Sequence, residues 1–272
     1  MRWFLLLLCF VATSPKAGML TLNGKFTQGG LVIGQTDPDT VVKFEGRRIS
    51  ASPEGIFIIG FNRDAKPTAI LELIYRDGTK RRETLKVSKR KYKIQTIDGL
   101  PTLKVTPPKE VRERIKRETI MIRTARMFDT PETHFLKNWW WPAVGPITGV
   151  YGSQRILNGK PSRPHYGIDI AAPAGSAVIA PTSGIIRLAH KDMYFSGGTI
   201  IIDHGYGLTS AFLHLKNLSV KKGQRVEQGQ VIGTIGSTGR STGPHLDWRI
   251  NLFKQRLDPA LIMPPMPDAA AK

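Results

Sequence analysis

The sequence predicts a mainly β protein in two parts joined by a helix, and three observations carry that prediction. Residues 20–106 hold short runs rich in Val, Ile, Phe and Tyr, broken at Asp-Gly and Glu-Gly pairs. Between Pro107 and Phe128 the apolar residues change to helical spacing. From Pro142 onward the short apolar runs return, now punctuated by Gly and Pro. Short apolar runs bounded by turn residues read as strands, whereas apolar residues recurring every three to four positions read as a helix. At 272 residues, 40% hydrophobic and 22% charged, the chain has ordinary globular composition and room for two modest domains.

Residues 1–17 read as a secretory signal peptide: Arg2 is a short basic start, an apolar run extends from Trp3 to Ala12, and small residues come next. The apolar run is far shorter than the about 20 residues a spanning helix needs, and no later segment qualifies, so the mature chain is expected to be exported, to the periplasm, without a transmembrane segment. The single cysteine, Cys9, falls inside this leader. Its removal leaves no disulfide and no thiolate ligand, so any metal must be held by His and carboxylates.

Residues 18–106 are expected to form a β-sandwich-like domain from runs such as "GGLVIGQT", "EGIFIIGF" and "TAILELIYRDGTK". The ribbon from Arg76 to Lys93 carries nine Lys/Arg against Asp77 and Glu83, which reads equally as a charged edge strand or as a polymer-binding stripe. In "TPPKEVRERIKRETIMIRTARMF", Pro107 and Pro108 end the sandwich and Val111, Ile115 and Ile122 lie on one face, so residues 107–140 are expected as a linker helix and connector. Trp139, Trp140 and Trp141 then either fasten the helix to the second domain or wall a groove, packing being the favoured reading. Residues 141–260 form that second domain, with a hairpin expected around His204 to Gly207, and residues 261–272 are expected as a flexible tail.

Forty Lys+Arg against 21 Asp+Glu give a net charge of +19, which calls for an anionic partner. No zinc-finger or RNP-like motif is present, so nucleic acid is set aside. For an exported chain the anionic polymer at hand is the cell wall. Five of the six histidines, His165, His190, His204, His214 and His245, fall in the second domain. His165 precedes Asp169 by four residues, a separation of about 13 Å in a straight strand, which Pro164 and Gly167 can bend shut. In "TGPHLDWRI", His245 and Asp247 are two apart and share a strand face.

The segments "HYGIDIAAPAGSAVIAPTSGII", "IIDHGYGLTSAFLHL" and "VKKGQRVEQGQVIGTIGSTGRSTGPHLDW", in that order, resemble the lysostaphin-type or LytM-family zinc metallopeptidases, which cut peptide bonds in peptidoglycan. The resemblance runs from about Trp141 to Pro259. It implies an antiparallel sheet crossed by a groove, zinc on the groove floor, His165 and Asp169 as ligands with Asp247 as the third, and His214 with His245 as the unligated pair that orients and deprotonates the attacking water. His190 and His204 match no ligand position and are expected to be structural.

One position departs from the pattern: the family's usual H-x-H is H-x-D here, with Asp247 in place of the second histidine. Aspartate is a competent zinc ligand, so an active peptidase is expected. Two aspartates also cancel the ion's formal charge, which predicts a weaker pull on its water and an alkaline optimum. The competing reading is a catalytically silent regulator that binds and activates a wall amidase, an envelope protein partner. A third, suggested by the turn spacing of "VKKGQRVEQGQVIG", is a biotinyl- or lipoyl-type carrier, but no lysine sits at the expected hairpin tip.

Overall fold

The structure is a computed structural model that describes residues 18–267. The expected signal peptide therefore lies outside the described residues, and no helix among those described is long and apolar enough to cross a membrane. The architecture is mainly β with antiparallel sheets.

Two sheets build the N-terminal part. Leu20–Gly24, Leu31–Thr36 and Ile56–Gly60 form one, and Arg47–Ile49, Val41–Phe44, Thr68–Ile74 and Lys80–Lys86 the other, in those spatial orders. The strand TAILELI shows why they pack: Ala69, Leu71 and Leu73 alternate inward and meet Val32, Phe57 and Ile59 from the facing sheet. Lys80–Lys86 is the outer strand of its sheet, with Lys80, Arg82 and Lys86 exposed along it, a charge pattern that disfavours pairing with another chain and is equally open to an anionic polymer. The first sheet uses its other face too. Leu31 and Ile58 point away from the sandwich into the core of the C-terminal part.

That second core lies on one face of a ten-stranded sheet whose main path runs Arg225–Val226, Gly184–Met193, Gly197–Asp203, Leu208–Leu218, His245–Leu252, Ile168–Ala171, Ile147–Gly149. Alternation sends Ile168, Ile170, Ile200, Ile202, Phe212, Leu246, Trp248 and Ile250 into it. Fully burying one such side chain stabilises by about 1.5–3 kcal/mol, so this face is a main source of the sheet's stability. The three tryptophans divide. Trp139 is buried against His204 at 4.9 Å and Trp248 at 6.4 Å, Trp141 meets Trp248 at 6.0 Å, and Trp140 is exposed.

The other face of the sheet carries Leu188, Met193, Ile201, Ala211 and Leu213, and the linker helix Arg112–Ala125 covers it with Ile122 and Ala125. At the centre of the helix's inward stripe stands a carboxylate, Glu118, which accepts from Arg114 Nε at 2.7 Å and from the backbone N–H of Tyr194 at 2.7 Å.

Two stretches lie elsewhere than the sequence reading puts them. Ile94–Ile97 leaves the sandwich and pairs in parallel with Gln154–Leu157, because Tyr92 is drawn across to Tyr151 and Asn158 closes two bonds on Leu100. Beyond Pro259 the chain is no free tail as far as Met266: Ile262, Met263 and Met266 pack on the core, and Trp141 Nε1 donates to the Pro264 carbonyl at 3.0 Å.

Candidate metal centre

The sheet face covered by the linker helix is also the face on which the polar residues converge. Ile168–Ala171 and His245–Leu252 are antiparallel neighbours, with Asp169 opposite Asp247 and Ala171 opposite His245. Since Ile168 and Ile170 enter the core, Asp169 faces away from it, and Asp247 does likewise between Leu246 and Trp248. His165 reaches this face through a bend. Its N–H and C=O are tied to Ser153 and Gly152, and at Gly167 a Cβ would lie 2.4 Å from the Trp248 carbonyl oxygen, so only glycine permits the close approach. His165 Nε2 thereby comes within 3.1 Å of Asp169 Oδ1.

Donor atoms of His165, Asp169 and Asp247 all lie within 4.8 Å of one another, and all three residues are buried. Both ring nitrogens of His165 and Oδ1 of Asp169 are buried without a hydrogen-bond partner among the described residues. Of these, His165 Nε2 and Asp169 Oδ1 lie together and are atoms a bound cation would satisfy, whereas the other ring nitrogen points away from them; one nitrogen with two carboxylates suits zinc.

Two carboxylates directly across a strand pair repel, and two arginines answer them. Arg155 Nη2 lies 2.5 Å from Asp169 Oδ2. Arg249 grips Asp247 at both oxygens, Nε to Oδ1 at 2.8 Å and Nη2 to Oδ2 at 2.5 Å. Burial by itself raises the Asp247 carboxyl, but Arg249 overrides it and holds the group far below the usual carboxylate range. At Asp169 burial likewise works against the charge and is outweighed by His165 and Arg155. These guanidiniums correct the charge argument made from the ligands alone: two positive groups return what two aspartates remove, so the premise of an alkaline optimum falls.

His214 adopts a left-handed backbone conformation, φ 65°, rare for a residue with a Cβ and of the kind that clusters at functional sites. Its Nδ1 donates to the Thr238 carbonyl at 2.7 Å. Because a carbonyl only accepts, Nδ1 holds the proton and Nε2 is left bare. His245 Nδ1 is likewise committed to the Gly243 carbonyl at 2.9 Å, and its Nε2 stands 3.9 Å from Asp169 Oδ1. The rings are 4.8 Å apart. Burial drives His214 down to about 4 against the pull of Asp247, so it is neutral at pH 7. The arrangement sets the Nε2 atoms of His214 and His245, neither committed to a backbone carbonyl, beside a three-ligand cluster.

A cavity of about 330 Å3 opens onto this cluster, lined by Asp169, His214, His245, Arg155 and Arg240, with Gln95, Ile97 and Leu100 as its opposite wall. A larger hollow, about 740 Å3 between Asp39 and Gly55, is lined by none of these residues. The remaining histidines stand apart. His204 is fully buried between the Ser183 carbonyl at 2.8 Å and Ser210 Oγ at 2.7 Å, and His190 Nδ1 accepts from the Asp192 N–H. Sequence reasoning missed Arg155, Arg240 and Arg249. Arg249 was legible, being two residues after Asp247 on the same strand face; Arg155 and Arg240 lie far along the chain from what they meet.

An antiparallel sheet carrying a His-Asp-Asp donor set beside two poised imidazoles defines a metallopeptidase domain. The domain belongs to Peptidase family M23, whose sequence model matches residues 163–259. Over 87 residues, 32% of this chain, it is 41% identical to the peptidoglycan DD-endopeptidase ShyA of Vibrio cholerae, covering 20% of that protein. Over 106 residues, 39% of this chain, it is 39% identical to the DD-carboxypeptidase/endopeptidase Mpg of Neisseria meningitidis, covering 24% of it. The chain thus spans about a quarter or less of the length of these relatives. A crystal structure from Pseudomonas aeruginosa assigned to peptidase M23 is 29% identical, with a TM-score of 0.69 over 88% of this chain and 95% of that one.

Proposed function

We propose that the chain is a zinc-dependent endopeptidase that hydrolyses peptide bonds in peptidoglycan outside the cytoplasm. The observation that carries this reading is the convergence of His165, Asp169 and Asp247 donor atoms within 4.8 Å, facing two imidazoles whose Nε2 atoms are free. The names of the two relatives, both peptidoglycan-directed, supply the substrate class. Export rests on the expected signal peptide at residues 1–17, and wall affinity on the net charge of +19.

In this mechanism His165, Asp169 and Asp247 would hold the zinc, which would supply Lewis acidity to polarise the scissile carbonyl and acidify a water. One of the His214 and His245 Nε2 atoms would accept the single proton released by the attacking water and pass it on to the leaving amine, while the other ring stands beside the developing oxyanion. Thr238 and Gly243 fix the tautomers through Nδ1, so neither ring has to reorganise during the reaction. Arg155 and Arg249 hold the two carboxylates in place while leaving lone pairs on the metal side.

One observation favours the second reading, a silent regulator of a wall amidase: Arg249 already engages both oxygens of Asp247. Metal analysis separates the two. A peptidase contains one zinc per chain, lost in the Asp247→Ala variant, and hydrolyses cross-linked muropeptides; a chain that binds no zinc and cleaves nothing while stimulating an amidase is the regulator.

A further inference from the structure

The proposed reaction leaves one guanidinium of the groove unassigned. Arg240 comes directly after Gly239, whose φ is 74° and at which a Cβ would meet the Phe195 carbonyl oxygen at 2.5 Å, so the loop can sit here only with glycine. The Arg240 N–H donates to that same carbonyl at 2.8 Å, its guanidinium lies 4.8 Å from the centroid of the Phe195 ring, and Nη1 donates to the Lys104 carbonyl at 3.4 Å. The side chain is thus aimed and braced. Yet this single long bond uses one of five guanidinium donors.

The other two arginines near the cluster have carboxylates: Arg155 has Asp169 and Arg249 has Asp247. Arg240 pairs with no carboxylate among the described residues. Arg249 and Arg155 repel it, and the one attractive group nearby, Asp247, is already held by Arg249. A half-buried guanidinium among like charges is costly unless an anion joins it, and its planar fork matches a carboxylate. Arg240 lines the same cavity as His214 and His245, so that anion is delivered together with the scissile bond.

We propose that Arg240 is a specificity-determining residue that binds a free carboxylate of the substrate beside the scissile peptide bond. The inference rests on the peptidase reading for the identity of the substrate. The carboxylate is either the terminal α-carboxylate of a stem peptide or the side-chain carboxylate of a diamino diacid at the cross-link, and the chemistry of recognition is the same for both.

The test uses the full zinc-loaded chain and three synthetic cross-linked stem-peptide dimers: both carboxylates free, the terminal one amidated, and the side-chain one amidated. Both kcat/KM and calorimetric affinity are measured for wild type, Arg240→Gln and Arg240→Lys. Wild type is expected to prefer the free dimer over one of the amides by about 10- to 100-fold, mostly through KM, as a charge-assisted hydrogen bond provides. The amide that abolishes the preference identifies the source. Arg240→Gln brings the ratio of free to amidated dimer close to one, while Arg240→Lys keeps part of the preference.

Equal treatment of free and amidated dimers by wild type overturns the proposal. So does an equal loss on all three dimers in Arg240→Gln, which is what a brace on Phe195 and Lys104 alone produces. If Arg240→Gln fails to fold, the wild-type comparison of free and amidated dimers decides by itself. If wild type cleaves no dimer, the peptidase reading fails and the affinity arm still decides: a carboxylate-dependent affinity lost in Arg240→Gln upholds the assignment, and equal or absent binding refutes it.

Discussion

Asp247 and Arg249 act as one unit, and substitution of either member exposes what the other costs. Removing one partner of a buried ion pair strands the other charge, at about 3–5 kcal/mol. Arg249→Ala is therefore expected to lower unfolding free energy by about 3 kcal/mol in urea titration, even though Arg249 touches no proposed substrate atom. Asp247→His restores a common zinc ligand while leaving Arg249 unpaired, so it is expected to keep hydrolysis at reduced stability; Asp247→Ala loses both zinc and stability. His204 gives a separate prediction. Burial lowers its pKa to about 4 from an ordinary 6.5, so as pH falls through 6.5 the unfolded chain takes up a proton that the folded chain refuses until about 4. Stability is expected to drop by about 2 kcal/mol between pH 7 and pH 5 from this group alone. Urea titrations at both pH values, with His204→Gln for comparison, check it: the variant loses this share of the drop. At this scale strand alternation indicates that His245 and Asp247 share a face and Pro164 and Gly167 allow His165 to bend towards Asp169, whereas the ligand and base roles proposed for them come from the resemblance of their motifs to a known family. The pairing of Arg155 with Asp169 and the tautomer that Thr238 sets at His214 depend on contacts between separate segments, and spacing carries no record of those.

The linker helix illustrates what periodicity reads and what it misses. Spacing of Val111, Ile115 and Ile122 foretells a helix, and Arg112–Ala125 is one. It does not foretell that the buried centre of the stripe is Glu118, whose carboxylate anchors the helix to the Tyr194 turn and so to the strand pair behind the groove. Glu118→Ala leaves the Tyr194 N–H without its acceptor and is expected to cost about 1–3 kcal/mol. Faster amide exchange at Tyr194 and along the helix, with little change in the N-terminal sheets, is the result that checks this placement. The same contacts bear on truncation. Every proposed ligand lies after Pro164, but a chain starting near Phe135 lacks the helix and uncovers Leu188, Met193, Ile201, Ala211 and Leu213. It is expected to melt earlier and aggregate, whereas a chain starting before Lys91 keeps both Ile94–Ile97 and the helix. Ile94–Ile97 itself was misplaced by the sequence because a four-residue β run does not say which strand it pairs with; Tyr92 and Asn158 decide that through space.

Across the whole molecule, two halves share one core, since Leu31 and Ile58 of the first sheet are buried in the second domain's hydrophobic cluster. The N-terminal part is therefore expected to stabilise the peptidase domain as well as to adjoin it. The surplus of 40 basic over 21 acidic residues acts at longer range. Attraction between exposed charges and an anionic wall weakens as the Debye length falls from about 10 Å at 0.1 M salt to about 3 Å at 1 M. Retention on purified sacculi is expected to fall steeply over that interval in a co-sedimentation assay, and salt-insensitive retention points instead to contacts inside the groove. Zinc held by His165, Asp169 and Asp247 is proposed to let this chain cut peptide bonds in peptidoglycan. Mass spectrometry of the fragments released from purified sacculi, with the protein zinc-loaded and again after chelation, tests it most directly. Peptide-cleaved fragments are expected to appear with zinc, vanish with chelator and return when zinc is restored; no released fragments from a zinc-loaded, folded chain, or the same fragments after chelation, would rule out zinc-dependent cleavage.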